Sequence, residues 1–248
     1  MKKQNQRGLS EVTAQRALLA ALSDDLSLPF LQIKTGVELL AADDFAQEAA
    51  RIQSGHINSS VQAGLKLIEA YRFLLKSDEL INLNLEPVAI GAILEEVAHQ
   101  LSPLAQDYST RIEVDVQGRL APVLAHQPSL SSALQVLATS LIRAQAAQTE
   151  QKEYRLVLGA HRSLDGLVAA GVFSETKGLS DLSLRAARSL VGQARQPLSS
   201  VPPGAASGIL VADMLCASLW QPLRAAAHRS LGGLATGLPI SKQLEFTL

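Results

Sequence analysis

The chain has 248 residues, 47% of them hydrophobic and 18% charged, with a formal net charge of −1. Such a composition builds a core and excludes a disordered polar chain. The balanced charge, without long Lys/Arg runs, excludes a broad pull toward nucleic acid or an anionic membrane surface. No apolar run reaches the roughly 18 residues that a membrane helix needs. Met1 to Arg7 is polar, with no apolar signal region behind it. The expectation is a cytoplasmic protein without a membrane anchor. The single cysteine, Cys216, cannot close an internal disulfide and has no zinc-type Cys/His spacing, so it reads as a small core residue.

In chain order, the first third reads as two helices. Leu19, Leu26, Ile33 and Leu40 recur every seven residues, with Leu22, Pro29 and Gly36 interleaved. This is a coiled-coil-like seam that a proline should bend. After a break near Ala42 to Asp44, a second helix is expected from about Glu48 to Leu80. Val61, Ile68 and Leu75 form one heptad set there, and Ile57, Gly64 and Tyr71 the other. One such hairpin buries too little surface to be stable alone, so pairing two into a homodimeric four-helix bundle is the physical expectation.

The rest alternates between helix and strand. Asn82 to Ile90 reads as an extended entry, and Gly91 to Tyr108 as a helix with Ile93, Leu94, Val97, Leu101 and Leu104 on one face. Arg111 to Val116 has period two, and Val123 to Ala125 is a short strand. Pro128 to Ala147 is a strongly apolar helix. Tyr154 to His161 and Gly166 to Phe173 form an antiparallel pair around Ser163 to Asp165. Leu182 to Gln193 is read as helical and Pro197 to Ser207 as a Pro/Gly/Ser loop. Gly208 to Ala227 is read as a helix interrupted at Pro222, and Leu234 to Leu238 with Gln243 to Leu248 as a closing hairpin. The fold class is therefore α+β. An N-terminal helical hairpin, residues 1–81, precedes an α/β sandwich, residues 82–248, with a mixed sheet and helices on one face.

Ser23-Asp24-Asp25-Leu26-Ser27-Leu28-Pro29-Phe30 resembles the H-box of bacterial sensor histidine kinases, matching it at Asp25, Leu26 and Pro29. Asn82 to Ile90 resembles the linker of that family, and Ile112 to Val116 with the helix from Leu130 falls where its second strand and N-box helix lie. Gly232-Gly233 and Leu244 to Leu248 resemble the end of its GHKL-type ATPase domain. The likeness spans nearly the whole chain. Asp24 stands where the family has its phosphoacceptor histidine, and the heptad register turns it outward.

The resemblance also implies what is missing. Aspartate cannot form the phosphoramidate that an imidazole forms. The two N-box asparagines, which serve Mg-ATP, are replaced by Thr139 and Arg143, or by Ser140 in a register slipped by one residue, and a cation at Arg143 repels Mg where oxygen ligands are required. The Asp-x-Gly-x-Gly motif becomes Ser174-Glu175-Thr176-Lys177-Gly178, keeping only Gly178, with Glu175 one position off. The final glycine motif, which cradles phosphates at a helix N-terminus, keeps Gly208 but has Leu210 at the next glycine position. The implied protein is a catalytically inactive, pseudokinase-like homodimer without a cofactor or metal, binding a receiver domain or a partner histidine kinase. A phosphorelay protein using His56, or an atypical kinase that still binds ATP and Mg, are the alternatives. His56, His99, His126, His161 and His228 are scattered, and none has an Asp or Cys nearby in sequence at ligand or triad spacing. Trp220 and Tyr71 read as packing residues.

Overall fold

A computed structural model describes residues 23, 26–27, 30–41, 47–75, 84–146, 153–175, 180–181, 184–185, 188, 206–218 and 221–241. Residues 30–40 are helical, and helix α1 spans Gln47–Leu75. The two run antiparallel in contact. Gln32 Oε1 accepts a hydrogen bond of 3.1 Å from Ser60, and Gly36 lies so close to Ile57 and Gln53 that a Cβ there would come within 2.6 Å of the Ile57 side chain. The break read at residues 42–44 lies outside the described residues, as do Leu19 and Leu22.

Helix α2 (Ile90–Asp107) buries Ile90, Ile93, Leu94, Val97, Leu101, Leu104 and Ala105, the face that the 3.6-residue period marked. It stops at Tyr108, whose N–H returns to Leu104, and at Ser109, whose positive φ of 47° turns the chain into a strand. Helix α3 (Gln127–Ala146) is apolar around most of its circumference. Leu130, Leu134, Leu137, Leu141 and Ile142 are buried with Ala133, Ala138 and Ala144 between them, because α1, α2 and helix α4 (Ala206–Ser218) all pack against it. Pro128 sits in its first turn, where the missing N–H has no intrahelical partner to lose.

Among the described residues two sheets complete the fold. Strands β1 (Glu86–Val88) and β3 (Val123–Ala125) pair antiparallel. Strands β2 (Thr110–Val116), β4 (Tyr154–Arg162), β5 (Val168–Ser174), β6 (Arg224–His228) and β7 (Leu231–Leu238) form a five-stranded sheet in the order β2-β4-β5-β7-β6. β2 and β4 run parallel and the remaining pairs antiparallel, so the sheet is mixed as expected. Side chains alternate between its faces. Ile112, Val114, Leu156, Leu158, Val168, Val172 and Leu234 join the core under the helices. Val157, Phe173, Leu231 and Ala235 form a second, smaller cluster on the opposite face.

The C-terminal reading needs correction. The helix ends at Ser218, and residues 224–228 are strand, not helix. Pro222 cannot donate to a helical ladder, and the Ala225 to Ala227 run instead pairs with Gly232 to Leu234. The hairpin partner of β7 is thus β6, joined through Arg229-Ser230, and Gly232-Gly233 lie inside β7 rather than before the hairpin. Residues 243–248, read as the partner strand, lie outside the described residues. Of 182–193, residues 184, 185 and 188 are helical and the others are not described.

Candidate functional site

Helices α3 and α4 bring three of the motif positions together. Thr139 is half-buried on α3, and Arg143 lies one turn further on the same helix. Gly208, in the first turn of α4, abuts the α3 surface between them. A Cβ at Gly208 would come within 1.6 Å of Ser140 Oγ and 2.5 Å of Ser140 Cβ. The space that a glycine leaves beside its backbone is therefore filled by the neighbouring helix. Glu175 is exposed at the end of β5, beyond Ser174, which is buried. Asp24, Asp25 and Gly178 lie outside the described residues. Among the described residues no group of three or more His, Cys, Asp or Glu converges on a metal position.

Arg188 is tied to α4 by charge. Arg188 forks onto Asp213 of α4, with Nε 2.7 Å from Oδ2 and Nη2 2.8 Å from Oδ1, and Nη2 also donates to the Leu223 carbonyl at 2.9 Å. Asp213 Oδ1 accepts the Leu223 N–H at 2.9 Å, so a buried carboxylate has its lone pairs satisfied. Leu184, one turn before Arg188, is in the core. Cys216 is buried as expected. Burial, with the charge of Asp213, pushes its thiol up to about 12, which removes thiolate chemistry at neutral pH.

A polar cleft of about 670 Å³ opens elsewhere, lined by Glu86, Glu96, Gln100, Gln127, Ser131 and Gln135 among others. It lies at the N-terminal half of α3, away from Arg143 and Gly208. His56 is exposed on α1 with Nε2 3.4 Å from an Asp107 carboxylate oxygen. Burial raises the Asp107 carboxyl above its ordinary range, and the His56 charge works against that rise.

One cluster had no sequence signal. On the sheet face away from the helices, His228 Nε2 lies 2.9 Å from Asp115 Oδ2 and His228 Nδ1 lies 3.0 Å from His161 Nδ1. The partners are 113 and 67 residues apart, so no local spacing could announce them. Arg229 clamps Asp115 from the other side, with Nη2 2.8 Å from Oδ1 and Nε 2.6 Å from Oδ2. Arg229 has a positive φ of 53°, a left-handed turn position that few non-glycine residues take. Gly159 makes the crossing feasible, since a Cβ there would press to 3.0 Å against the His228 ring. Phe173 stacks on that ring at 4.9 Å.

No protein-family model and no curated protein matches the chain. Solved structures do. ShkA, full-length in complex with AMPPNP, matches with a TM-score of 0.51 at 18% identity over 90% of this chain, which spans 46% of that one. The Acinetobacter baumannii histidine kinase AdeS matches with a TM-score of 0.52 at 15% identity, over 88% of this chain and 98% of that one. The fold is histidine-kinase-like. A bacterial phosphotransferase shares it, with a TM-score of 0.50 at 11% identity, over 91% of this chain and 96% of that one. At such identities the likeness is one of fold, and function must be argued from the residues. Within this histidine-kinase-like fold no described helix is long and apolar enough to cross a membrane.

Proposed function

We propose that the chain is a catalytically inactive, histidine-kinase-like protein of two-component signalling, which dimerises and acts by holding a receiver domain or a partner kinase. The observation that carries this reading is the contact of Gly208 with Ser140. In a phosphate-cradling turn the glycine leaves backbone open to a ligand, whereas here its free side is taken up by helix α3. Thr139 and Arg143 supply one hydroxyl and one cation where Mg would need oxygen ligands. These residues do not fit a Mg-nucleotide.

Dimerisation rests on the heptad pattern of α1. Gly64 and Tyr71 of one set are buried within the chain. Val61 and Ile68 of the other are 37% and 40% exposed, with Leu65 beside them at 50%. Phe30, Leu31, Val37 and Leu39 of the first helix are exposed as well. Two helices that each leave an apolar stripe outward suit a second copy in a four-helix bundle.

A phosphorelay role through His56 is the second reading, favoured by its exposed ring 3.4 Å from the Asp107 carboxylate. The experiment for the first reading is calorimetric titration of the full chain with Mg-ATP. The expected outcome is no binding heat up to about 1 mM nucleotide. Saturable micromolar binding would overturn the inactive assignment and bring an atypical kinase forward.

A further inference from the structure

Asp115, His228 and His161 form a continuous chain of polar contacts across the sheet face. Burial raises the Asp115 carboxyl, but the His228 hydrogen bond and the Arg229 charge outweigh it and hold the group below its ordinary value. Asp115 is therefore an ionised acceptor at neutral pH, and His228 Nε2 must carry the hydrogen that it accepts. In the arrangement with His228 Nδ1 as the acceptor, the Nδ1 of His161, 3.0 Å away, is the donor. That leaves the Nε2 of His161 as a lone pair. His161 is half-buried near the end of β4, and this atom makes no hydrogen bond among the described residues. His228 itself is 1% exposed, so water does not compete for the relay. Burial lowers the His161 pKa from 6.5, which keeps the ring neutral near pH 7.

An imidazole with one nitrogen held as N–H by a neighbouring base, and the other left as a lone pair, is an oriented nucleophile. We propose that His161 is a phosphoryl-acceptor site served by a relay through His228 to Asp115. The donor class, an aspartyl phosphate on a receiver domain, rests on the two-component reading above. The Nε2 lone pair attacks phosphorus and forms the N–P bond. The P–O bond to the receiver carboxylate breaks, and that carboxylate leaves with the electron pair. The ring would become cationic, and it passes its Nδ1 proton to His228 Nδ1, where Asp115 stabilises the resulting imidazolium. No redox partner is needed. Phe173 against the His228 ring and Gly159 beneath it hold the relay in place.

The test labels the full chain with phosphoramidate, a small phosphoryl donor that needs no partner, and maps acid-labile phosphate by mass spectrometry. His99, exposed on α2, is the internal reference. The expected result is labelling of His161 at least about tenfold faster than His99, falling to the reference rate in Asp115→Asn. His228→Gln is a second variant that keeps a polar side chain in the relay, and circular dichroism reports folding of both. A merely structural relay would change melting and leave the labelling ratio alone. Equal rates at His161 and His99, label concentrated on His56 instead, or a ratio unmoved in folded Asp115→Asn would each overturn the proposal. Failure of the two-component reading shows separately, as no transfer of label to the chain from a phosphorylated receiver domain while phosphoramidate still labels His161, because phosphoramidate labelling needs no partner.

Discussion

Asp213 shows how much one charged side chain is asked to hold. It is 6% exposed, and it joins Arg188, the Leu223 backbone and helix α4. Truncating Arg188 to alanine leaves a buried carboxylate with a backbone N–H as its remaining described partner. Chemical denaturation should show a loss of about 2 kcal/mol, because an uncompensated buried acceptor costs more than the pair contributes. Asp213→Asn should cost less, since an amide still accepts from Leu223 without burying a charge. Neither residue stands out in the sequence. Arg188 and Asp213 are 25 positions apart, across a Pro/Gly/Ser stretch that breaks any periodicity. The His161–His228–Asp115 relay was illegible for the same reason, whereas Asp24, Thr139 and Arg143 were singled out by aligning short stretches with a family that the chain resembles, which needs no contact between distant residues.

Between elements, the α3–α4 contact makes a sharp demand. Gly208→Ala places a methyl 2.5 Å from Ser140 Cβ, and rotating the Ser140 hydroxyl does not relieve that overlap. The expected cost is about 1–3 kcal/mol, read as a lower denaturation midpoint with an unchanged slope. Ser140→Gly combined with Gly208→Ala should recover much of it, and a double-mutant cycle would give the coupling. Helix α2 was legible because burial on one face writes a 3.6-residue period into the sequence, α3 because it is apolar on most sides, β2 because of alternation at two residues, and β4 and β5 because a turn at Ser163 to Asp165 separates two apolar runs. Strand β6 was not. Arg224-Ala225-Ala226-Ala227-His228 has the composition of a helix, and only pairing with β7 makes it a strand, a tertiary override of local propensity.

At the scale of the whole molecule, association and pH response can both be measured. If Val61 and Ile68 form the exposed half of a dimer seam, Val61→Glu with Ile68→Glu should bring the sedimentation mass from dimer to monomer without loss of helical signal. The pH response follows from two histidines. Burial lowers the pKa of both His161 and His126 from 6.5. Below that value the unfolded chain binds more protons than the folded one, so their contribution is complete above 6.5 and is lost as pH falls toward the folded pKa values. Asp107, whose carboxyl is raised by burial, has the opposite sign, in the acid range near its ordinary 3.8. Melting temperature should therefore drop between about pH 7.5 and about pH 5.5, and His161→Gln should flatten that drop.

The class of fold and most element positions were legible in the sequence alone. Hydrophobic period and residue identity are local properties, and the core selects for them one residue at a time. Tertiary structure decided the rest. It chose β6 as the partner of β7, filled the open side of Gly208 with Ser140, and carried His228 across the sheet to Asp115. Each of these depends on which distant surfaces meet, and a chain brings such surfaces together only when burying the common core repays the entropy of closing the loops between them.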